Sequence, residues 1–215
     1  SGIISMSSVA RQVYKNEERL LECLANIDDY AEHMMQVMDS LLETVKVDNN
    51  AITIAKQPFR LENFLNRIDI AVREKIEKKN VQFTTQCYCQ YKQLLGDEIR
   101  LHQAVCYLIN NAISYTPISG QICFTAKQMA VDNKTVYIRF IIEDTGNGMT
   151  EKMKESIFGF TRDTEHGVVE EQHFDLSLAA RVIQLMGGQI GMDVNAGGTK
   201  IYFTLPFELQ EEVQN

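Results

Sequence analysis

Eight apolar residues, Leu20, Leu24, Ile27, Ala31, Met34, Met38, Leu41 and Val45, follow one another in alternating steps of four and three. That period puts them on one stripe of an α-helix and repeats as a heptad. A stripe of this length has to be covered by other helices. Away from it lie Glu17, Glu18, Asp28, Asp29, Glu32 and Asp39, which keep the remaining faces in water. Residues 3–14 read as a shorter helix cut at Asn16, so the two helices form an antiparallel hairpin joined by a polar turn. The seam is buried either by a second copy, giving a dimeric four-helix bundle, or by the rest of the same chain. The expectation taken forward is a homodimer through residues 20–45.

The 215 residues leave room for this hairpin and one further domain. Val47-Asp48-Asn49-Asn50 breaks the helical pattern, which places a boundary near residue 50 and divides the chain into 1–50 and 51–215. After a short strand over 51–55 and a turn at Lys56-Gln57-Pro58, the patterning predicts helices over 61–78, 97–115 and 175–186. It predicts strands over 81–85, 88–91, 121–128, 135–143, 189–194 and 199–205. Residues 144–174 are polar and hold at most one short helix. This mixed order reads as α+β, an antiparallel-rich sheet with helices on one face.

Charge and cysteine usage narrow the function. Lys and Arg total 21 against 29 for Asp and Glu, a net charge of −8, so a nucleic-acid partner held through phosphates is not expected. No run approaches the length of a membrane span and no signal peptide opens the sequence, so any membrane attachment is expected to lie outside this fragment. The five cysteines are odd in number and scattered, which fits reduced thiols in the cytoplasm. Cys87 and Cys89 are spaced C-x-C without a second pair, which argues against zinc.

Chemistry concentrates where the apolar run Val136–Ile142 ends in Glu143-Asp144-Thr145-Gly146-Asn147-Gly148-Met149. A carboxylate at a strand end beside two glycines allows close backbone approach to a ligand. Taken alone the pattern equally marks a turn. Its partners are Gly96-Asp97-Glu98-Ile99-Arg100-Leu101-His102-Gln103, opening a helix that ends in Asn110-Asn111-Ala112-Ile113-Ser114-Tyr115-Thr116-Pro117. In this combination the sequence resembles the ATP-binding domain of sensor histidine kinases, members of the GHKL or Bergerat-fold ATPases, from about residue 60 to 206. The helix is similar to the N box, residues 144–149 to the first glycine box, and Ile157-Phe158-Gly159-Phe160 to the phenylalanine box. Gly197-Gly198-Thr199 is similar to the closing glycine segment.

The resemblance implies an α/β-sandwich of the Bergerat type that binds ATP or ADP with Mg²⁺. It places Asn111 on the metal, to which an amide oxygen is a suitable hard donor, and Asp144 on the adenine amino group. Tyr115 would flank the nucleotide, although an aromatic there equally fits a core. Gly146, Gly148, Gly198 and Thr199 would line the site, and Phe158, Phe160 and Arg162 would belong to the phenylalanine box and the lid over it. The preceding hairpin resembles the dimerisation and phosphoacceptor element, and a response-regulator receiver domain is the implied partner. In that family the phosphorylated histidine precedes a Thr-Pro pair on the first helix, and neither occurs in residues 1–16. The acceptor is therefore expected upstream, and this fragment by itself is not expected to autophosphorylate.

The sequence departs from the family at the phosphate side. Where a Gly-x-Gly-Leu stretch opens the helix after the lid, this chain has His173-Phe174-Asp175-Leu176. Asp175 would bring negative charge toward phosphates, and it also suits a helix N-cap. Tyr107 stands where an Asn is usual, and Ser114 replaces a common Lys or Arg. Asp163, Glu165, Glu170 and Glu171 make the lid acidic. A degenerate kinase acting as a dimeric scaffold is the alternative expectation. A gyrase-type ATPase would need a Glu at Tyr107 and ranks last.

Overall fold

The computed structural model describes residues 19–21, 24, 27, 54–146, 148, 174–195 and 197–209. The chain divides into two compact units, Ser1–Thr53 and Ile54–Asn215. In the first, Arg19, Leu20, Leu21, Leu24 and Ile27 are helical, with Leu20 and Ile27 half-buried and Leu24 46% exposed. The rest of the expected hairpin lies outside the described residues, as does most of the expected dimer seam.

The second unit opens with β1 (Gln57–Arg60), which leads directly into α1 (Leu61–Lys79). In α1, Leu61, Phe64, Leu65, Ile68, Val72 and Ile76 recur at helical spacing and are buried. The helix ends at Asn80, whose left-handed conformation, φ 52°, lets its N–H turn back to the carbonyls of Ile76 and Glu77. Strands β2 (Gln82–Tyr88) and β3 (Gln93–Gly96) follow. Asp97 then caps α2 (Glu98–Tyr115): its Oδ1 accepts from the Arg100 N–H at 3.1 Å. Its Oδ2 accepts from the Ala55 N–H at 3.0 Å, which ties the entry of the domain to the start of this helix.

The hairpin β4 (Gln121–Asp132) and β5 (Thr135–Asp144) comes next, then α3 (Phe174–Leu185), β6 (Gln189–Asn195) and β7 (Gly198–Leu209). The sheet order is β1-β3-β7-β5-β4-β2, with β6 also paired to β7. All pairs are antiparallel except β2 with β4. This is an α+β fold with helices on one face of a mixed, largely antiparallel sheet. β7 is shared along one edge: its residues 198–204 pair with β6 and 208–209 with β3, and Pro206, which has no N–H, lies between the two partners.

The core sits between sheet and helices. Phe140 of β5 is fully buried and meets the rings of Phe64, Phe124, Phe203 and Phe207 at centroid distances of 6.1, 6.2, 5.1 and 6.3 Å. Such a cluster dominates the energetics, since truncating one buried Phe costs about 3–5 kcal/mol.

Two strand expectations are corrected. Of residues 51–55, Ile54 and Ala55 are irregular, and the strand forms instead at 57–60, through the Pro58 read as a turn. An edge strand tolerates proline because part of its backbone needs no partner, and Pro58 pairs in register with Leu95. Residues 88–91 are not a second strand beyond Tyr88. The chain leaves the sheet there, with the N–H groups of Gln90 and Tyr91 both donating to Gln128 Oε1 at 3.0 and 3.4 Å, and β3 begins at Gln93.

Candidate nucleotide site

Three element ends converge because of the register. Asp144, the last residue of β5, lies opposite Ile122 of β4 and Thr199 of β7. The C-terminal end of α2 turns through Thr116 and Pro117 into the start of β4, so Tyr115 arrives at the same end of the sheet. Thr116 is fully buried and donates its hydroxyl to the Ala112 carbonyl at 2.7 Å, which closes the helix. Thr145, which the sequence does not single out, joins this end: its N–H donates to the Gln121 carbonyl at 3.0 Å and its Oγ1 accepts from the Gln121 N–H at 2.9 Å.

Asp144 is 8% exposed. Its Oδ1 accepts from the Gly146 N–H at 2.8 Å and from the Thr199 N–H at 3.4 Å. Burial raises its pKa above the ordinary 3.8, and the two N–H donors pull it back down. A buried carboxylate is expensive without donors, and two backbone groups stabilise one of its oxygens. The glycines are required by this geometry. A Cβ on Gly146 would fall 2.7 Å from Asp144 Oδ1 and 2.8 Å from the Tyr115 carbonyl oxygen. At Gly198, with φ +140°, a Cβ would fall 1.8 Å from the Asp144 carbonyl oxygen. Gly148 has φ 72°, the left-handed region.

Asn111 is 5% exposed and sits one turn before the half-buried Tyr115 on α2. Of the residues named from the sequence, Asn111, Tyr115, Asp144, Gly146, Gly148, Gly198 and Thr199 thus lie on α2, at the end of β5 and its exit, and at the start of β7. Phe158, Phe160, Arg162 and His173 lie outside the described residues. Tyr107 is half-buried against the core, so its ring takes a packing role on α2. The donor set fits the family's ligand: a buried carboxylate suits an amino group, and an amide oxygen suits Mg²⁺.

Cys87, Cys89, Cys106 and Cys123 are free thiols. Burial pushes Cys89 up to about 12, with the Cys87 thiol adding to the shift, and pushes Cys106 up to about 11. Both therefore stay protonated and unreactive at neutral pH. Among the described residues no group of three or more His, Cys, Asp or Glu could hold a metal ion, and no helix is long and apolar enough to cross a membrane.

Residues 96–209, more than half of the chain, match the family described as histidine kinase-, DNA gyrase B-, and HSP90-like ATPase. Hybrid signal transduction histidine kinase C of Dictyostelium discoideum is 25% identical over 198 residues, 87% of this chain and 16% of that protein. Sensory/regulatory protein RpfC of Xanthomonas campestris is 23% identical over 220 residues, covering all of this chain and 30% of that protein. Adaptive-response sensory kinase SasA of Thermosynechococcus vestitus is 29% identical over 175 residues, 80% of this chain and 45% of the relative. The chain thus spans less than half the length of these curated relatives. Among solved structures, full-length ShkA in complex with AMPPNP is similar at a TM-score of 0.69 with 21% identity, over 94% of this chain and 42% of that one. Histidine kinase ThkA, solved with the response regulator TrrA, gives 0.66 with 19% identity, over 96% of this chain and 57% of that one. These structural likenesses bear on the fold. The chain belongs to the histidine kinase-, DNA gyrase B- and HSP90-like ATPase family, and the curated relatives it matches include signal-transduction and sensory kinases.

Proposed function

We propose that this chain is the cytoplasmic catalytic core of a two-component sensor kinase, with residues 1–50 as the dimerising hairpin and 51–215 as the domain that binds Mg-ATP. The observation that carries the reading is Asp144: a carboxylate buried at a strand end, with Oδ1 held by the Gly146 and Thr199 N–H groups. Its other oxygen would accept the adenine amino hydrogen, a contact that desolvation makes selective, because a base lacking that donor would leave the carboxylate unpaired. Gly146 and Gly148 would carry the backbone past the base, with Tyr115 flanking it. Asn111 would give its amide oxygen to Mg²⁺, which when bound offsets phosphate charge. Phe158, Phe160 and Arg162 would close over the site, and Gly198 and Thr199 would hold its floor. The γ-phosphoryl would pass to a histidine preceding residue 1, and then to the receiver domain of a response regulator. The dimeric arrangement is supported by the heptad seam, and the regulator by the ThkA–TrrA pair among the similar structures.

A second reading, a degenerate kinase acting as a scaffold, is favoured by a specific observation. α3 begins at Phe174, so Asp175 stands in its first turn, where phosphates would meet free N–H groups and the positive end of the dipole. Calorimetric titration with ADP and with a non-hydrolysable ATP analogue in Mg²⁺ separates the two. Micromolar binding of both supports the kinase. Binding of ADP alone, with the analogue recovered by His173→Gly/Asp175→Gly, supports the degenerate form, and binding of neither contradicts the adenine reading.

A further inference from the structure

Lys79 is the last residue of α1, and its Nζ donates to the carbonyl oxygens of Ile113 at 2.6 Å and Ser114 at 2.7 Å. Those carbonyls lie in the last turn of α2, where an α-helix leaves its final C=O groups without intrahelical partners. The Ala112 carbonyl is already taken by the N–H and the hydroxyl of Thr116, at 2.9 and 2.7 Å. The last turn of α2 has no basic residue of its own, and Ser114 Oγ turns back to the Asn110 carbonyl at 3.0 Å. A cation from another helix therefore sits at the negative end of the α2 dipole.

The exit of α1 continues the grip. Asn80 Nδ2 donates to Ser119 Oγ at 3.2 Å, the Ser119 N–H donates to the Asn80 carbonyl at 2.9 Å, and the Gln82 N–H donates to the Gly120 carbonyl at 2.8 Å. The end of α1 thus holds both the end of α2 and the loop into β4. One further contact connects this junction to Asp144. The Tyr115 carbonyl oxygen packs so close to Gly146 that a Cβ there would fall 2.8 Å from it, and the Gly146 N–H is the donor to Asp144 Oδ1. A displaced last turn of α2 would press on the backbone that orients the carboxylate.

We propose that Lys79 is a positioning residue of the nucleotide site. By pinning the Ile113 and Ser114 carbonyls it keeps Asn111, Tyr115 and the Gly146–Asp144 contact in the arrangement that receives the nucleotide. The inference rests on the reading of Asp144 as the adenine acceptor. Lys79 acts through α2.

The test compares Lys79→Met and Lys79→Arg with the unaltered chain by two measurements. One is amide hydrogen exchange without nucleotide, and the other is calorimetric titration with ADP and Mg²⁺. Lys79→Met is expected to speed exchange at Thr116, Ser119 and Gly146 while leaving Phe140 and Phe203 protected, and to weaken ADP about tenfold. Lys79→Arg, which keeps the cation and its donors, is expected to restore both. A lysine serving stability alone would lower protection across the whole domain in Lys79→Met and leave the affinity of the folded fraction unchanged. Unchanged exchange at Thr116 and Gly146, or unaltered ADP affinity in Lys79→Met, would overturn the proposal. Absence of ADP binding by the unaltered chain would instead contradict the adenine reading, and the exchange pattern would still decide whether Lys79 holds this junction.

Discussion

Gly198 and Asp144 meet backbone to backbone: a Cβ on Gly198 would lie 1.8 Å from the Asp144 carbonyl oxygen, and Gly198 itself adopts φ +140°. The contact carries strand β7 across the end of β5 and delivers the Thr199 N–H to the Asp144 carboxylate. Because the clash is with backbone, no side chain can rotate away to relieve it. Gly198→Ala is expected to cost about 3 kcal/mol, combining an unfavourable φ with overpacking. Urea unfolding of the variant beside the unaltered chain measures this.

His102 gives the domain a dependence on mild acid. It is half-buried on α2 with its ring near Cys106 Sγ, and burial lowers its pKa below the ordinary 6.5, with the Arg67 charge adding to the effect. The unfolded chain then binds the proton more readily than the folded one. The contribution to stability is fully present above pH 6.5 and is lost as pH falls through the depressed folded value. Thermal unfolding followed down from pH 7.5 should show this decline, and His102→Gln should flatten it.

Asp144 runs in the opposite sense. Its raised pKa means that the folded state holds the proton more tightly, so its stability contribution is present below pH 3.8 and is lost as pH rises through the folded value. At neutral pH the burial cost stands in full. Asp144→Asn, which keeps an oxygen for the Gly146 and Thr199 N–H groups, is therefore expected to be at least as stable at pH 7 as the unaltered chain. Nucleotide affinity moves the other way and should weaken as acid protonates Asp144. Melting temperature and ADP affinity measured across one pH series check both signs.

Much of this was legible in local sequence. The period of α2 and the Thr116-Pro117 that follows it are signals within a few residues, and the structure places the helix expected over 97–115 at Glu98–Tyr115, with Asp97 as its cap. Asp144 and Gly146 could be singled out because a strand end and its turn glycines adjoin in the chain. What stayed hidden depends on distant partners. β1 runs through Pro58 because the sheet offers an edge there, and the exit at Gln90 and Tyr91 is set by Gln128 Oε1 from the β4 bulge region. Lys79 reads as one more exposed helix lysine until its carbonyl partners, 34 and 35 residues away, are seen.

The heptad seam makes its own prediction. In the proposed dimer, Glu placed at both Met34 and Met38 would bring four charges into the seam, where a buried charge without a partner is strongly unfavourable. The double variant is expected to sediment as a monomer under conditions where the unaltered chain is a dimer, with the nucleotide domain still cooperatively folded. A monomeric unaltered chain at high concentration would contradict the dimer.

The central claim is that Asp144 reads adenine, and calorimetric titration of the unaltered chain and of Asp144→Asn with ADP in Mg²⁺ tests it most directly. The expected result is micromolar binding by the unaltered chain, weakened about ten- to a hundredfold in a variant whose melting temperature is unchanged or higher, since a buried carboxylate hydrogen bond contributes about 1.5–3 kcal/mol. Equal affinity of the two proteins, or no heat from either, would contradict it.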